Sequence, residues 1–315
     1  MGEWVDFEEK EYETLMNASF VLDAGTPSAV RIYSPGQFLE NTLGIDFATR
    51  VPAHSRLRAH LFGARTARGV TAHQAQINGL PVTAKFVNFF TQYKRPTRFH
   101  AGHRSPLWER DQDFLRFTVT HQKPHTAHDF TQIEAMDQLQ TTFGANASVR
   151  YLCPAVSTSA ALYASFAAGR LPLESVVVSV DAMRLGTGFH RHWTFRSDDL
   201  GFGIPNPGGP AAKSTSYFEY VQDLVDVDVQ RMPSKEQVER TGELVREFTE
   251  DSPSYHKLVE RKTKDTVRRE ESERTEILHE LEPMESAHRE AVLTYTRVAA
   301  MANDLGLDWS IAVID

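Results

Sequence analysis

Alternation of apolar and polar residues along the chain marks out short strands and helices. Val82, Phe86, Val87, Phe89 and Phe90 make an apolar run that predicts a buried strand running into Gln92-Tyr93-Lys94. Period two sets Phe90, Gln92 and Lys94 on one side of it, with Phe89, Thr91 and Tyr93 on the other. Residues 113–120 alternate Phe114, Arg116 and Thr118 against Leu115, Phe117 and Val119, again as a strand. Residues 126–143 place Phe130, Ile133, Met136 and Leu139 at helical spacing. Strands over 149–153, 175–180 and 190–196, with an alanine-rich helix over 157–169, complete an alternation that predicts an α/β sheet.

Nearer the start, residues 12–21 form a short element and 25–28 a turn. Ser34-Pro35 supplies an N-cap and a first-turn proline for a helix with Phe38, Leu39 and Leu43 on its apolar stripe. Gly44 ends that helix, and a strand over 44–51 leaves it tightly, which puts Glu40 and Asp46 near each other. Residues 56–76 have no clean period and read as a loop-rich insertion. The glycines and prolines of 201–209 predict a loop and a boundary. Beyond Met232 come charged helices over 234–282, a helix over 285–305 closed by Gly306, and a last strand over 307–314. The expected organisation is an N-terminal extension (1–33), an α/β core (34–210) and a mainly helical C-terminal region (211–315) closing with a short strand.

A net charge of -8 argues by itself against a nucleic-acid partner, but the charge is uneven. Between Phe47 and Arg110 there are eleven Lys or Arg residues and one acid, Glu109. A polyanion can therefore meet a basic face there. The single cysteine, Cys153, sits in an apolar run and excludes an intramolecular disulfide and a cysteine zinc cluster. The N-terminus lacks the pattern of a signal peptide, and no apolar stretch reaches the roughly 20 residues of a membrane span, so the expectation is a soluble, cytoplasmic protein without a membrane partner.

The chemistry concentrates on Asp46, a hard carboxylate oxygen, Gln92, a neutral amide oxygen, and Lys94, a cation able to orient or deprotonate a water. These are the group types that Mg²⁺ chemistry on a phosphodiester requires. With Glu40 on the preceding helix, Gly44-Ile45-Asp46 and Gln92-Tyr93-Lys94, the chain resembles the PD-(D/E)xK nuclease superfamily in its QxK variant. Gln132 in Thr131-Gln132-Ile133-Glu134 resembles the glutamine that the family's following helix often carries.

The resemblance implies a restriction-endonuclease-like mixed central sheet flanked by helices, Mg²⁺ or Mn²⁺ as cofactor, and hydrolysis of DNA, often in restriction or anti-phage defence. It implies Glu40, Asp46 and Gln92 as metal-binding residues and Lys94 and Gln132 as further site residues. Arg50, Lys85, Arg95 and Arg98 are the expected contacts to the nucleic-acid backbone. The sequence departs from the family in the long gap between Asp46 and Gln92 and in glutamine standing for a carboxylate.

Two other readings stand beside it. His190-Arg191-His192, with His100 and His103, offers imidazoles for a zinc hydrolase. Ser157-Thr158-Ser159 lacks a nucleophile elbow and reads as a helix N-cap, and no Walker-type loop is present. The C-terminal apolar positions, among them Val245, Phe248 and Leu278, keep no heptad, so these helices either cover the core or meet a partner protein or a second copy of the chain. A non-catalytic nucleic-acid-binding or protein-interaction subunit with a degenerate nuclease fold is the alternative.

Overall fold

The apolar run after Val82 forms the strand Lys85–Tyr93, buried at every position but the first. Burial on both sides makes it an interior strand, which explains why its apolar residues run on rather than alternate. A computed structural model describes residues 2–21, 30–33, 83–100, 113–120, 128–206, 210–262, 275 and 286–314.

In chain order the strands are β1 (Glu3–Trp4), β2 (Val30–Tyr33), β3 (Lys85–Tyr93), β4 (Thr97–Phe99), β5 (Phe114–Thr118), β6 (Ala147–Pro154), β7 (Ser175–Ser179), β8 (Arg184–Leu185), β9 (Gly188–Phe189), β10 (His192–Arg196), β11 (Asp199–Asn206), β12 (Ala212–Lys213), β13 (Thr215–Ser216) and β14 (Asp308–Ile314). The helices are α1 (Glu9–Val21), α2 (Thr131–Phe143), α3 (Ser159–Ala167), α4 (Tyr217–Asp223), α5 (Ser234–Asp251), α6 (Pro253–Glu260) and α7 (Ser286–Asp304). The chain is mixed α/β, with helices in its C-terminal third.

Two compact units share the chain, the first made of residues 1–30, 91–140 and 148–227, the second of 31–90, 141–147 and 228–315. These units differ from the expected segments at 33 and 210. The N-terminal residues 1–30 belong to the first unit. Tyr12 and Met16 are fully buried, Tyr12 donates its hydroxyl to Ser175 Oγ at 2.9 Å, and Tyr93 donates to Asn17 Oδ1 at 2.9 Å.

The first unit has two layers of strands. One sheet runs β1-β4-β5-β10-β11-β12, and in the other β13, β7, β6 and the end of β3 lie side by side. In the first sheet Phe117 pairs with Trp193 and Leu115 with Phe195, so these four side chains share a face. All four are buried. Phe117 meets Tyr151 of β6 with ring centroids 5.8 Å apart, an aromatic contact between the two sheets.

Two expectations are corrected here. Residues 201–206, read as a loop, are most of β11, which pairs antiparallel with β10 from His192↔Asn206 to Arg196↔Asp199. Gly203 is required because a Cβ there would lie 2.3 Å from Trp193 Nε1. Pro205 is tolerated because β12 pairs only as far as Phe202 and Gly203, so the outer edge at 205 needs no donor. The helix expected from 126 starts at Thr131, since Asp129 Oδ1 takes both the Thr131 N–H (3.0 Å) and its hydroxyl (2.7 Å) in a local turn that competes with helix.

In the second unit β14 lies between the start of β3 and β2, and Trp309 donates its indole N–H to Asn88 Oδ1 at 3.2 Å. Helices α5 and α7 approach closely where Gly242 meets Thr294, a Cβ there being only 3.2 Å from the threonine Oγ1. Gly306, at φ +68°, closes α7 as the sequence predicts. Among the described residues no helix is long and apolar enough to cross a membrane.

Candidate active site

Gln92 and Lys94 come from the end of β3, where the ladder to β6 continues one residue past the strand. Lys94 donates its backbone N–H to Leu152 O at 2.8 Å. This fixes the backbone under both side chains. Gln92 is 6% exposed and Lys94 8%. The Gln92 side-chain oxygen, Oε1, is buried and accepts no hydrogen bond. The ammonium of Lys94 stands 5.8 Å from the centroid of the Tyr151 ring, and no carboxylate among the described residues is in ion-pair contact with it.

Burial dominates the electrostatics. It lowers the pKa of Lys94 from the ordinary 10.5, against the opposing pull of the Glu9 carboxylate and a smaller one from Cys153. The same burial raises the Cys153 thiol well above its usual value, so this cysteine is core, as its apolar surroundings predict. Tyr151 is likewise pushed up by burial, and its hydroxyl is buried without a partner. Two polar atoms here, Gln92 Oε1 and the Tyr151 hydroxyl, are thus buried without a hydrogen-bond partner.

The other predicted residues fall as follows. Gln132 is in the first turn of α2, half-buried. Glu40, Asp46 and Arg50 lie outside the described residues, and so does His103. Lys85 opens β3. Arg95 lies 2.9 Å from a Glu8 carboxylate oxygen, donates to Phe7 O at 3.3 Å and covers the Trp4 ring at 4.9 Å. Arg98 donates to Asp113 Oδ2 through Nη2 at 2.6 Å and Nε at 3.1 Å. Arg95 and Arg98, the two described guanidiniums of those expected to grip a nucleic acid, are thus engaged with acids of the chain itself.

Among the described residues the zinc alternative is not assembled. His190 is buried, His192 binds Thr118 Oγ1 at 3.0 Å, and His100 is paired with Glu3 at 2.7 Å. Among the described residues no group of three His, Cys, Asp or Glu side chains could hold a metal ion. Thr158 is the N-cap of α3, accepting from the Ala161 N–H at 3.2 Å, in accord with the capping reading of that segment.

Two features of the first unit escaped the sequence reading. Glu9 acts on Lys94 only because α1 folds into the same unit. Arg150, fully buried on β6, donates to Ser148 Oγ at 2.7 Å and to the hydroxyl of Tyr220, whose ring it also faces at 4.5 Å. No local pattern distinguishes a buried guanidinium from an exposed one in a half-buried strand.

For a divalent cation the described donors fit in kind. A buried amide oxygen with no protein partner is a group a hard cation accepts, and an ammonium two residues on is not itself a ligand. No family model, curated protein or solved structure matches the chain.

Proposed function

We propose that the chain is a metal-dependent nuclease that hydrolyses phosphodiester bonds of DNA on a restriction-endonuclease-like core. The observation that carries this reading is the end of β3, where the buried Gln92 Oε1 has no partner and the neighbouring Lys94 ammonium has no ion-pairing carboxylate among the described residues. An unpaired buried amide oxygen costs about 1–3 kcal/mol, and a buried ammonium more. Such groups persist where a ligand completes them.

Asp46, Gln92 and Glu40 would hold Mg²⁺ or Mn²⁺, which when bound acidifies a water and offsets the charge that builds on the phosphate. Lys94 would place the attacking water, and burial lowers the pKa of its ammonium. Gln132 would add an amide to the lining, and Arg50, Lys85, Arg95 and Arg98 would hold flanking phosphates, the last two by exchanging their present acidic partners for phosphate.

Purified protein incubated with plasmid and linear DNA in Mg²⁺, Mn²⁺ or EDTA tests this. Cleavage in metal but not in EDTA is expected, with Lys94→Ala and Asp46→Ala each losing it while the fold persists. Undiminished cutting by both variants puts the site elsewhere. DNA retention without cutting in either metal supports the non-catalytic nucleic-acid-binding subunit instead.

A further inference from the structure

On the first sheet, pairing sets Thr118 opposite His192 and Arg116 opposite Thr194. These four side chains share the face turned away from Phe117 and Trp193. Arg116 is half-buried, its Nε donating to Thr194 Oγ1 at 3.1 Å and its guanidinium lying 4.7 Å from the Phe99 ring centroid and 5.6 Å from that of Phe114. Arg191, just before the strand, donates through Nη1 to His128 Nε2 at 2.7 Å. A guanidinium has only N–H groups, so that Nε2 must accept. The other ring nitrogen, Nδ1, lies 3.0 Å from Thr120 Oγ1.

What distinguishes this cluster is its counter-charge. Arg95, Arg98, Arg170, Arg184 and Arg196 each meet a carboxylate. Arg116 and Arg191 meet hydroxyl, imidazole and aromatic groups, and no carboxylate among the described residues. Asp129, next to His128 in the chain, spends an oxygen on the start of α2. His192 is held uncharged, its pKa lowered to about 4 by burial first and then by the charges of Arg116 and Arg191. Arg116, Arg191 and His192 are all partly exposed. Two accessible forks with their positions fixed by neutral partners, an imidazole between charges and the exposed Thr118 hydroxyl match the donors that hold a tetrahedral oxyanion.

We propose that Arg116 and His192 on this sheet face, with Arg191 reaching in beside His128 from the end of the strand, form a phosphate-binding site separate from Gln92 and Lys94. Its ligand is a phosphate group, either on a nucleic-acid backbone or as a free phosphate or phosphomonoester. The site needs no metal and does not depend on cleavage.

The test uses the full chain in EDTA, where metal-dependent cutting is silent, so its failure leaves the nuclease reading standing and the converse also holds. Inorganic phosphate is titrated while the His192 imidazole is followed by NMR, and a labelled duplex is titrated by fluorescence anisotropy over a range of salt. Bound phosphate raises the His192 pKa, because an added anion favours the imidazolium. Arg116→Gln and Arg191→Gln each weaken binding about tenfold and, on the duplex, lower the salt slope by about one. Arg170→Gln, which sits in an exposed pair with Glu174, behaves as the parent. A response to inorganic phosphate that the duplex does not displace assigns a free phosphate, and a response to the duplex alone assigns a backbone phosphate. His192→Gln, which leaves both guanidiniums in place, covers the case in which an arginine variant does not fold. No His192 shift with either ligand in the parent, or binding unchanged in the variants, overturns the site.

Discussion

At the level of single residues, Lys94 is a buried cation whose cost to the fold can be measured. Its folded pKa lies below the 10.5 of the unfolded chain, mainly through burial. Between those two values the unfolded chain holds a proton that the native one has released, so stability rises with pH across that window. Below the lowered value the full penalty of the buried charge is present. Lys94→Met removes the charge and keeps the volume. It is expected to stabilise the protein at pH 7 by on the order of 1–3 kcal/mol in urea unfolding, with the difference shrinking as pH approaches 10.5. The same variant should lose metal-dependent cleavage. A less stable Lys94→Met would show that the ammonium is held by the fold rather than tolerated for function. Gln92 and Lys94 were legible in the sequence because the tripeptide ends an apolar strand. Glu9 and Arg150 were not, because what matters about them is long-range proximity and burial.

Elements followed the same division. β5, β6, β7, β10, β14 and α7 were readable because each has a face of one period and lies against a layer that rewards it. β11 was not, because Gly201, Gly203, Pro205 and Pro207 are the residues that mark turns. Here packing overrides that punctuation. The fully buried Trp193 ring needs the space over residue 203, and its Nε1 is buried without a partner there. Gly203→Ala would bring a Cβ to within 2.3 Å of that nitrogen. The clash is with a ring that cannot withdraw into a packed core, so the substitution is expected to cost about 1–3 kcal/mol or more, read from a lowered urea midpoint. Gly201→Ala is the comparison, since its Cβ would meet only the mobile end of Asp199 at 3.3 Å. Equal effects of the two would mean that glycine serves the backbone of β11 and not Trp193.

Across the whole molecule, an acidic chain with net charge -8 meets a polyanion only where local charge reverses the average. The eleven basic residues between Phe47 and Arg110 promised such a region, yet three of the described ones are already committed. Lys94 is buried, Arg95 is held by Glu8, and Arg98 is forked by Asp113. The Arg98–Asp113 pair is 39% exposed on each side. At that exposure an ion pair is worth about 1 kcal/mol or less, so a phosphate competes with it easily. The carboxylate acts as a local brake, occupying the fork and repelling the approaching backbone. Asp113→Asn removes the charge with little change in shape and should tighten duplex binding several-fold at low salt, measured by anisotropy in EDTA. If Arg98 then takes a phosphate, the slope of log affinity against log salt steepens by about one, and the parent and variant curves converge at high salt as screening removes the difference. An unchanged slope would mean that DNA approaches by a face that does not include Arg98, and the phosphate contacts would then be sought at Arg116 and Arg191.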